Sequence, residues 1–177
     1  MERIIETDRL YLRRFTMKDS GRVTYLCNDK EVLENLLMLP YPYTEAHAKE
    51  WISYHNENFI KDRLYEFAVV LKEEDRIIGC ISLSNISRNL HGEIGYWFGK
   101  EYWGEGYATE ALKALIDYAF HVKGYHKVFA EHFLENPRSG KVMVKAGMEF
   151  EGIRKDHILK DGVFHTVVMY GIVNNES

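Results

Sequence analysis

Along this chain the spacing of apolar and polar positions changes several times, and each change marks an element. Residues Leu10-Tyr11-Leu12-Arg13 alternate in the manner of an opening strand. Segments 18–28 and 45–59 carry apolar residues at helical spacing, with a Pro-Tyr-Pro-Tyr turn at Pro40 to Tyr43 between them. Three runs with strand chemistry follow at 66–71, 76–83 and 93–98. The charged turn Lys72-Glu73-Glu74-Asp75 joins the first two, which predicts an antiparallel meander. Further on, Ala108, Ala111, Leu112, Leu115, Ile116, Ala119 and Phe120 recur at helical intervals while Glu110, Lys113 and Asp117 take the other face, so a strong helix is expected. Segment 127–133 then reads as a strand, 137–146 as a short helix ended by Gly147, and the tail as two strands joined by Lys160-Asp161-Gly162. The predicted order is β-α-α-β-β-β-α-β-α-β-β, an α/β (α+β) chain of about seven strands and four helices.

Nothing interrupts that order. There is no internal repeat, low-complexity tract or flexible linker, and Pro40, Pro42 and Pro137 are local punctuation, so residues 1–177 are expected to form a single domain. A chain of 177 residues is long enough to bury a core without disulfides or metals. The 46% hydrophobic and 28% charged fractions are ordinary globular usage, and no window approaches the roughly 20 apolar residues of a membrane span. Charges in Met1-Glu2-Arg3-Ile4-Ile5-Glu6-Thr7-Asp8 stand where an export signal needs an apolar stretch, which points to the cytoplasm. In that compartment Cys27 and Cys80 are expected as free thiols. A net charge of −4 and the lack of a basic stripe argue against a nucleic-acid partner, and permit a cationic one.

Chemistry first enters at Tyr96-Trp97-Phe98-Gly99-Lys100-Glu101-Tyr102-Trp103-Gly104-Glu105-Gly106-Tyr107-Ala108-Thr109, where an aromatic strand passes through small residues into the strong helix. A helix start collects unpaired amides and the positive end of the helix dipole, which suit an anionic phosphate. Gly104, Gly106 and Ala108 allow close approach to the backbone, and Thr109 offers a hydroxyl. Two glycines before a helix also form ordinary connections. The Lys-Ser/Thr pair of a P-loop and the third glycine of a dinucleotide fingerprint are both missing.

The passage resembles motif A of the GNAT superfamily of N-acetyltransferases, whose pattern is Arg/Gln-x-x-Gly-x-Gly/Ala, with Gly106 and Ala108 in the last two positions. Trp103 stands where Arg or Gln is usual, a departure shared with the branch resembling ribosomal-protein N-terminal acetyltransferases. The likeness extends to Thr7-Asp8-Arg9-Leu10-Tyr11-Leu12-Arg13, to Glu93-Ile94-Gly95-Tyr96-Trp97, and to Asn136-Pro137-Arg138-Ser139 followed by Lys145-Ala146-Gly147-Met148. It implies a mixed, mostly antiparallel sheet splayed between its fourth and fifth strands, with acetyl-CoA wedged into the gap. The backbone of Tyr96, Trp97 and Phe98 would pair with the pantetheine amides. Trp103, Gly104, Glu105, Gly106, Tyr107, Ala108 and Thr109 would form the pyrophosphate cradle, and Asn136 would meet the pantetheine arm near its sulfur. The acceptor implied is a primary amine, on a protein N-terminus such as that of a ribosomal protein or on a small molecule.

Acetyl transfer from a thioester to an amine needs a neutral amine, a stabilised oxyanion and a proton for the leaving thiolate. The resemblance assigns the oxyanion donor to a backbone N–H near Phe98. The Tyr that many members place seven residues after the Asn is replaced by Met143, and in the ribosomal-protein branch the implied proton donor is a Ser that corresponds to Ser139. In the other reading Ser139 merely satisfies an amide in the first turn of its helix. Glu93, on the strand entering the gap, is the candidate base, against the reading of an exposed strand carboxylate. A Glu that some members carry on the sixth strand corresponds here to Ile158, flanked by His157; His132 and His157 are alternates that read more simply as structural. Trp51, Tyr54 and Phe59 have core spacing, with the acceptor mouth as the alternative. The histidines and cysteines show no metal-ligand spacing, so no metal is expected, and neither cysteine has a neighbouring base that would suit a covalent acetyl-enzyme. A non-catalytic acetyl-CoA-binding module is the competing class, and both a monomer and a homodimer stay open.

Overall fold

A computed structural model describes residues 4–37, 39–86 and 89–175; residues 1–3 of the stretch weighed as an export signal lie outside them. In chain order the elements are β1 (Ile5–Glu6), β2 (Leu10–Arg14), α1 (Ser20–Cys27), α2 (Lys30–Glu34), α3 (Glu45–Ser53), α4 (His55–Ile60), β3 (Leu64–Leu71), β4 (Arg76–Asn85), β5 (His91–Phe98), α5 (Tyr107–His121), β6 (Lys127–Phe133), α6 (Pro137–Lys145), β7 (Glu149–Lys160) and β8 (Val163–Val173). The strands form one sheet in the order β1-β2-β3-β4-β5-β6-β8-β7. Every pairing is antiparallel except β5 with β6, which is parallel and covers only His91↔Lys127, Gly92↔Val128 and Glu93↔Phe129. Past Glu93 the two strands part, and this is the splay that the resemblance implies.

The sheet is packed on both faces, which explains why β2 and β3 read as almost continuous apolar runs. Leu10, Leu12, Phe67, Val69 and Leu71 join Leu112, Leu115 and Met143 in the core under α5 and α6. The alternate residues Tyr11, Ala68 and Val70 join Val23, Ala48 and Ile52 in a second core under α1 and α3. The tail hairpin turns on Asp161 at φ 49° and Gly162 at φ 79°, two left-handed residues that match a tight two-residue connection.

Three features differ from the sequence expectation. There are eight strands because Ile5–Glu6 adds to the edge of β2. A short α2, capped by the Asp29 carboxylate accepting from the Glu31 amide at 2.8 Å, lies between the first two predicted helices. The single helix predicted at 45–59 breaks at Tyr54, whose amide bonds back three residues to the Trp51 carbonyl. The break has a packing cause: Trp51 serves the second core, whereas Phe59 turns to the first, edge-on to Tyr65 and Phe67 with centroids 4.8 and 5.5 Å away. One straight helix cannot aim both residues that way. Among the described residues no helix is long and apolar enough to cross a membrane.

Candidate active site

The turn into α5 is built from backbone. Gly104 has φ 87° and Gly106, the N-cap of α5, has φ 83°, a region where side chains other than glycine are strained. A Cβ at Gly104 would meet nothing within 4 Å, so this glycine is required by conformation and by the open space above it, not by packing. The Glu110 amide bonds the Gly106 carbonyl at 3.0 Å, while those of Tyr107, Ala108 and Thr109 belong to the first turn and have no acceptor within the helix.

A clamp from the start of the chain fixes this turn. The Glu110 carboxylate accepts from Thr7 Oγ1 at 2.6 Å, from the Arg9 amide at 2.9 Å and from Arg9 Nε at 2.7 Å. Arg9 Nη1 also donates to the Glu105 carbonyl at 3.0 Å, and its guanidinium lies 4.5 Å from the Tyr107 ring centroid. Partial burial works against ionisation of Glu110, but the bonds from Thr7 and Arg9 outweigh it and hold its pKa below the ordinary carboxylate value. Trp103 donates its indole N–H to the Phe98 carbonyl at 2.8 Å and so ties the end of β5 to the cradle. Arg138, in the first turn of α6, places its guanidinium 5.4 Å from the Trp103 ring centroid.

Along β5 the side chains alternate. Ile94, Tyr96 and Phe98 face α5, while Trp97 packs toward α1 and α3, and by register Glu93 and Gly95 share its face. The Tyr96 hydroxyl donates to the Ser139 carbonyl at 3.0 Å, and Asn136 Nδ2 donates to Ser139 Oγ at 3.0 Å. The structure therefore gathers Tyr96, Asn136 and Ser139 on one side of the splay. A serine oxygen that accepts one bond still has its own proton to give. Burial pushes the Tyr96 hydroxyl well above its ordinary pKa, so it stays a neutral donor.

On the other face lies a cleft of about 550 Å³ that includes Glu93, Trp97, Trp51, Tyr43, Glu66 and Glu131 in its lining. Among the described residues its charged lining is three glutamates, with no lysine or arginine. Glu93 is half-buried, and desolvation together with the nearby Glu131 charge raises its pKa against a smaller opposing effect of Arg154. Ser139 is not part of this lining, whereas Tyr96, whose hydroxyl bonds the Ser139 carbonyl, is, so Tyr96 stands between the two candidate catalytic side chains.

The alternates sort themselves by contact. His132 lines the cleft, but its Nδ1–H donates to the Phe133 carbonyl at 2.7 Å and its ring fits against Gly140, where a Cβ would come within 2.6 Å of Nε2. His157 is exposed on β7 and lies 3.3 Å from Arg154 Nη1. Of the three aromatics weighed for the acceptor mouth only Trp51 lines the cleft; Tyr54 is exposed and Phe59 is core. Burial pushes the Cys27 thiol up to about 12 and Cys80 well above its ordinary value, so neither supplies a thiolate near neutrality.

Sequence reasoning missed Glu66 and Glu131, which look like ordinary polar positions of strands, and Lys160. Glu66 Oε2 sits 2.8 Å from buried His55 Nε2, close but not aligned as a hydrogen bond. Lys160, at the hairpin tip, donates to the Leu33 and Glu34 carbonyls at 2.8 and 2.7 Å, capping α2. Asn35 and Leu36, just after α2, and Ile158 of the hairpin all belong to the cleft lining, and this bond joins their elements. Arg9 had a signal, since it stands within the opening run that carries the resemblance.

A glycine turn over a helix start suits a phosphate group, the strand edge left unpaired by the splay suits an extended amide-bearing arm, and an acidic cleft lies behind them. A family model described as an acetyltransferase (GNAT) domain matches residues 9–149, and the chain belongs to this family, with acetyl-CoA as the acyl donor. The chain is 32% identical to the uncharacterized N-acetyltransferase YnaD of Bacillus subtilis over 173 residues, which is 97% of this chain and 98% of that one. It is 29% identical to the [ribosomal protein uS5]-alanine N-acetyltransferase of Escherichia coli over 175 residues, covering 93% of this chain and 88% of the relative. A crystal structure of a GNAT-family acetyltransferase from Bacillus anthracis superposes with a TM-score of 0.83 at 29% identity, covering 96% and 97% of the two chains.

Proposed function

We propose that this chain acetylates a primary amine by direct attack in a ternary complex, the donor lying in the β5–β6 splay and the acceptor entering by the cleft on the Glu93 face. The observation that carries this reading is the half-buried Glu93, which lines the cleft from the last paired position before the strands part. The left-handed glycines at 104 and 106, the first open to space and the second beside Arg9 Nη2, and the amides of Tyr107 to Thr109 suit the pyrophosphate. The unpaired edge of β5 suits the pantetheine amides, which would satisfy its backbone groups as an added strand does. In this scheme Glu93 drains the amine proton and Ser139, oriented by Asn136, protonates the leaving thiolate.

The acceptor arrives as an ammonium ion, and the three glutamates among the described lining residues favour that form before Glu93 deprotonates it. A protein N-terminus is the acceptor we favour, supported by the Escherichia coli relative whose name gives it that activity. The test is release of free coenzyme A from acetyl-CoA in the presence of ribosomal-protein N-terminal peptides and, separately, small amines, with mass spectrometry locating the added acetyl group. Turnover with peptides alone supports the N-terminus. Turnover with small amines alone moves the acceptor to that class, and tight acetyl-CoA binding with no turnover on either panel would identify a binding module.

A further inference from the structure

In the family pattern the position of Trp103 holds Arg or Gln, a polar side chain beside the cradle, and the indole here cannot replace it. Its one polar hydrogen is spent on the Phe98 carbonyl. Arg9 also stands at the cradle, its Nη2 3.4 Å from where a Cβ at Gly106 would be, but Nε is paired with Glu110 and Nη1 is turned inward to the Glu105 carbonyl, so its charge is already met. We propose that Arg138 supplies the missing contact, binding the pyrophosphate of acetyl-CoA from a place on top of Trp103.

The geometry has three parts. Arg138 comes from the first turn of α6, the same turn that carries Ser139, and its contact with Trp103 brings it to the residue that precedes Gly104. Its guanidinium rests 5.4 Å from the Trp103 centroid, a cation–π contact that orients the group without using any of its five N–H donors. Among the described residues no carboxylate lies within ion-pair reach of it, so its charge is not cancelled as that of Arg9 is by Glu110. Trp103 is itself held at its indole nitrogen, which gives the guanidinium a fixed platform. Departure and compensation belong together: a tryptophan at 103 surrenders a donor and provides a surface on which a more distant arginine is held.

This inference rests on the assignment of residues 104–109 to the pyrophosphate, and the experiment separates the two. Calorimetry measures the Kd of acetyl-CoA and of its 3′-dephospho analogue for the parent, Arg138→Gln and Arg138→Lys, with thermal unfolding of each protein as the folding check. A charge-assisted contact to phosphate is worth ~10- to 100-fold in affinity, so Arg138→Gln should weaken both ligands by that factor and by the same factor. Arg138→Lys should recover only part of it, because an ammonium does not stack or fork as a guanidinium does. The salt dependence of binding should flatten in Arg138→Gln. Unchanged affinity in a folded Arg138→Gln, with a parent that binds tightly, overturns the role of Arg138 and leaves the cradle standing. A penalty with acetyl-CoA that vanishes with the dephospho analogue moves the contact to the 3′-phosphate and also overturns the proposal. A parent that binds neither ligand removes the cradle assignment itself.

Discussion

The two faces of β5 are built on different plans. On the side of α5 the donor cradle is made of backbone: two left-handed glycines, the first amides of a helix, and the Thr7–Arg9–Glu110 clamp that holds them. On the side of α3 the acceptor cleft is made of side chains drawn from many elements, including Trp51 of α3, Glu66 of β3, Glu93 and Trp97 of β5 and Glu131 of β6. Backbone recognition requires a fixed local conformation and so constrains consecutive residues. Side-chain recognition lets each contributing element vary alone. The proposed donor side is thus the more constrained of the two, and the proposed acceptor side the freer to change.

That contrast can be broken first at its most rigid point. Gly106→Val places a β-branched residue at φ 83°, against a cost of order 1–3 kcal/mol for a strained backbone, and should weaken acetyl-CoA binding by ~100-fold or more in calorimetry while the fold persists in circular dichroism. Parent-like affinity would show that the cradle lies elsewhere. Next in size are the catalytic side chains. Glu93→Gln should lower kcat by ~10²–10³ and Ser139→Ala by ~10², at the low end of acid–base effects because a thiolate leaves with modest help; donor Kd should change little in either. An unchanged kcat in Ser139→Ala would leave water as the proton source.

Glu131 gives a finer probe. Since its charge helps to raise the pKa of Glu93, Glu131→Gln should move the acid limb of the kcat/KM profile to lower pH, and an unmoved limb would take Glu93 out of the base role. The smallest expected effect is on stability. Glu110 has its pKa lowered on folding, so its contribution is present above the ordinary carboxylate value and is lost as pH falls through the lower folded value. Glu110→Gln should cost about 1–2 kcal/mol near neutrality, seen in urea unfolding, and the gap from the parent should close under acid. A constant gap across pH would show that the clamp acts by shape and not by charge.

Much of the donor side was legible in the sequence because its requirements are local. Glycines at 104 and 106 ahead of an amphipathic run announce a helix start with an accessible backbone; the helix is present as read, and the structure adds that both glycines are left-handed. The acceptor side was not legible, since Glu66 and Glu131 lie 65 positions apart and only the strand register brings them to one cleft. In the fold, β1 is too short to show any period, and α2 buries only Val32 and Leu33, too few to mark a helical stripe. The bend at Tyr54 was hidden for a related reason. Apolar spacing runs through it without a break, and only Tyr65 and Phe67, which face the first core, determine where Phe59 must turn.

Lys160 makes the cleft more than a surface groove. By fastening the hairpin tip to the last carbonyls of α2 it joins two elements 126 positions apart in sequence, one running into Asn35 and Leu36 and the other carrying Ile158 of the cleft lining, so the position of one is tied to that of the other.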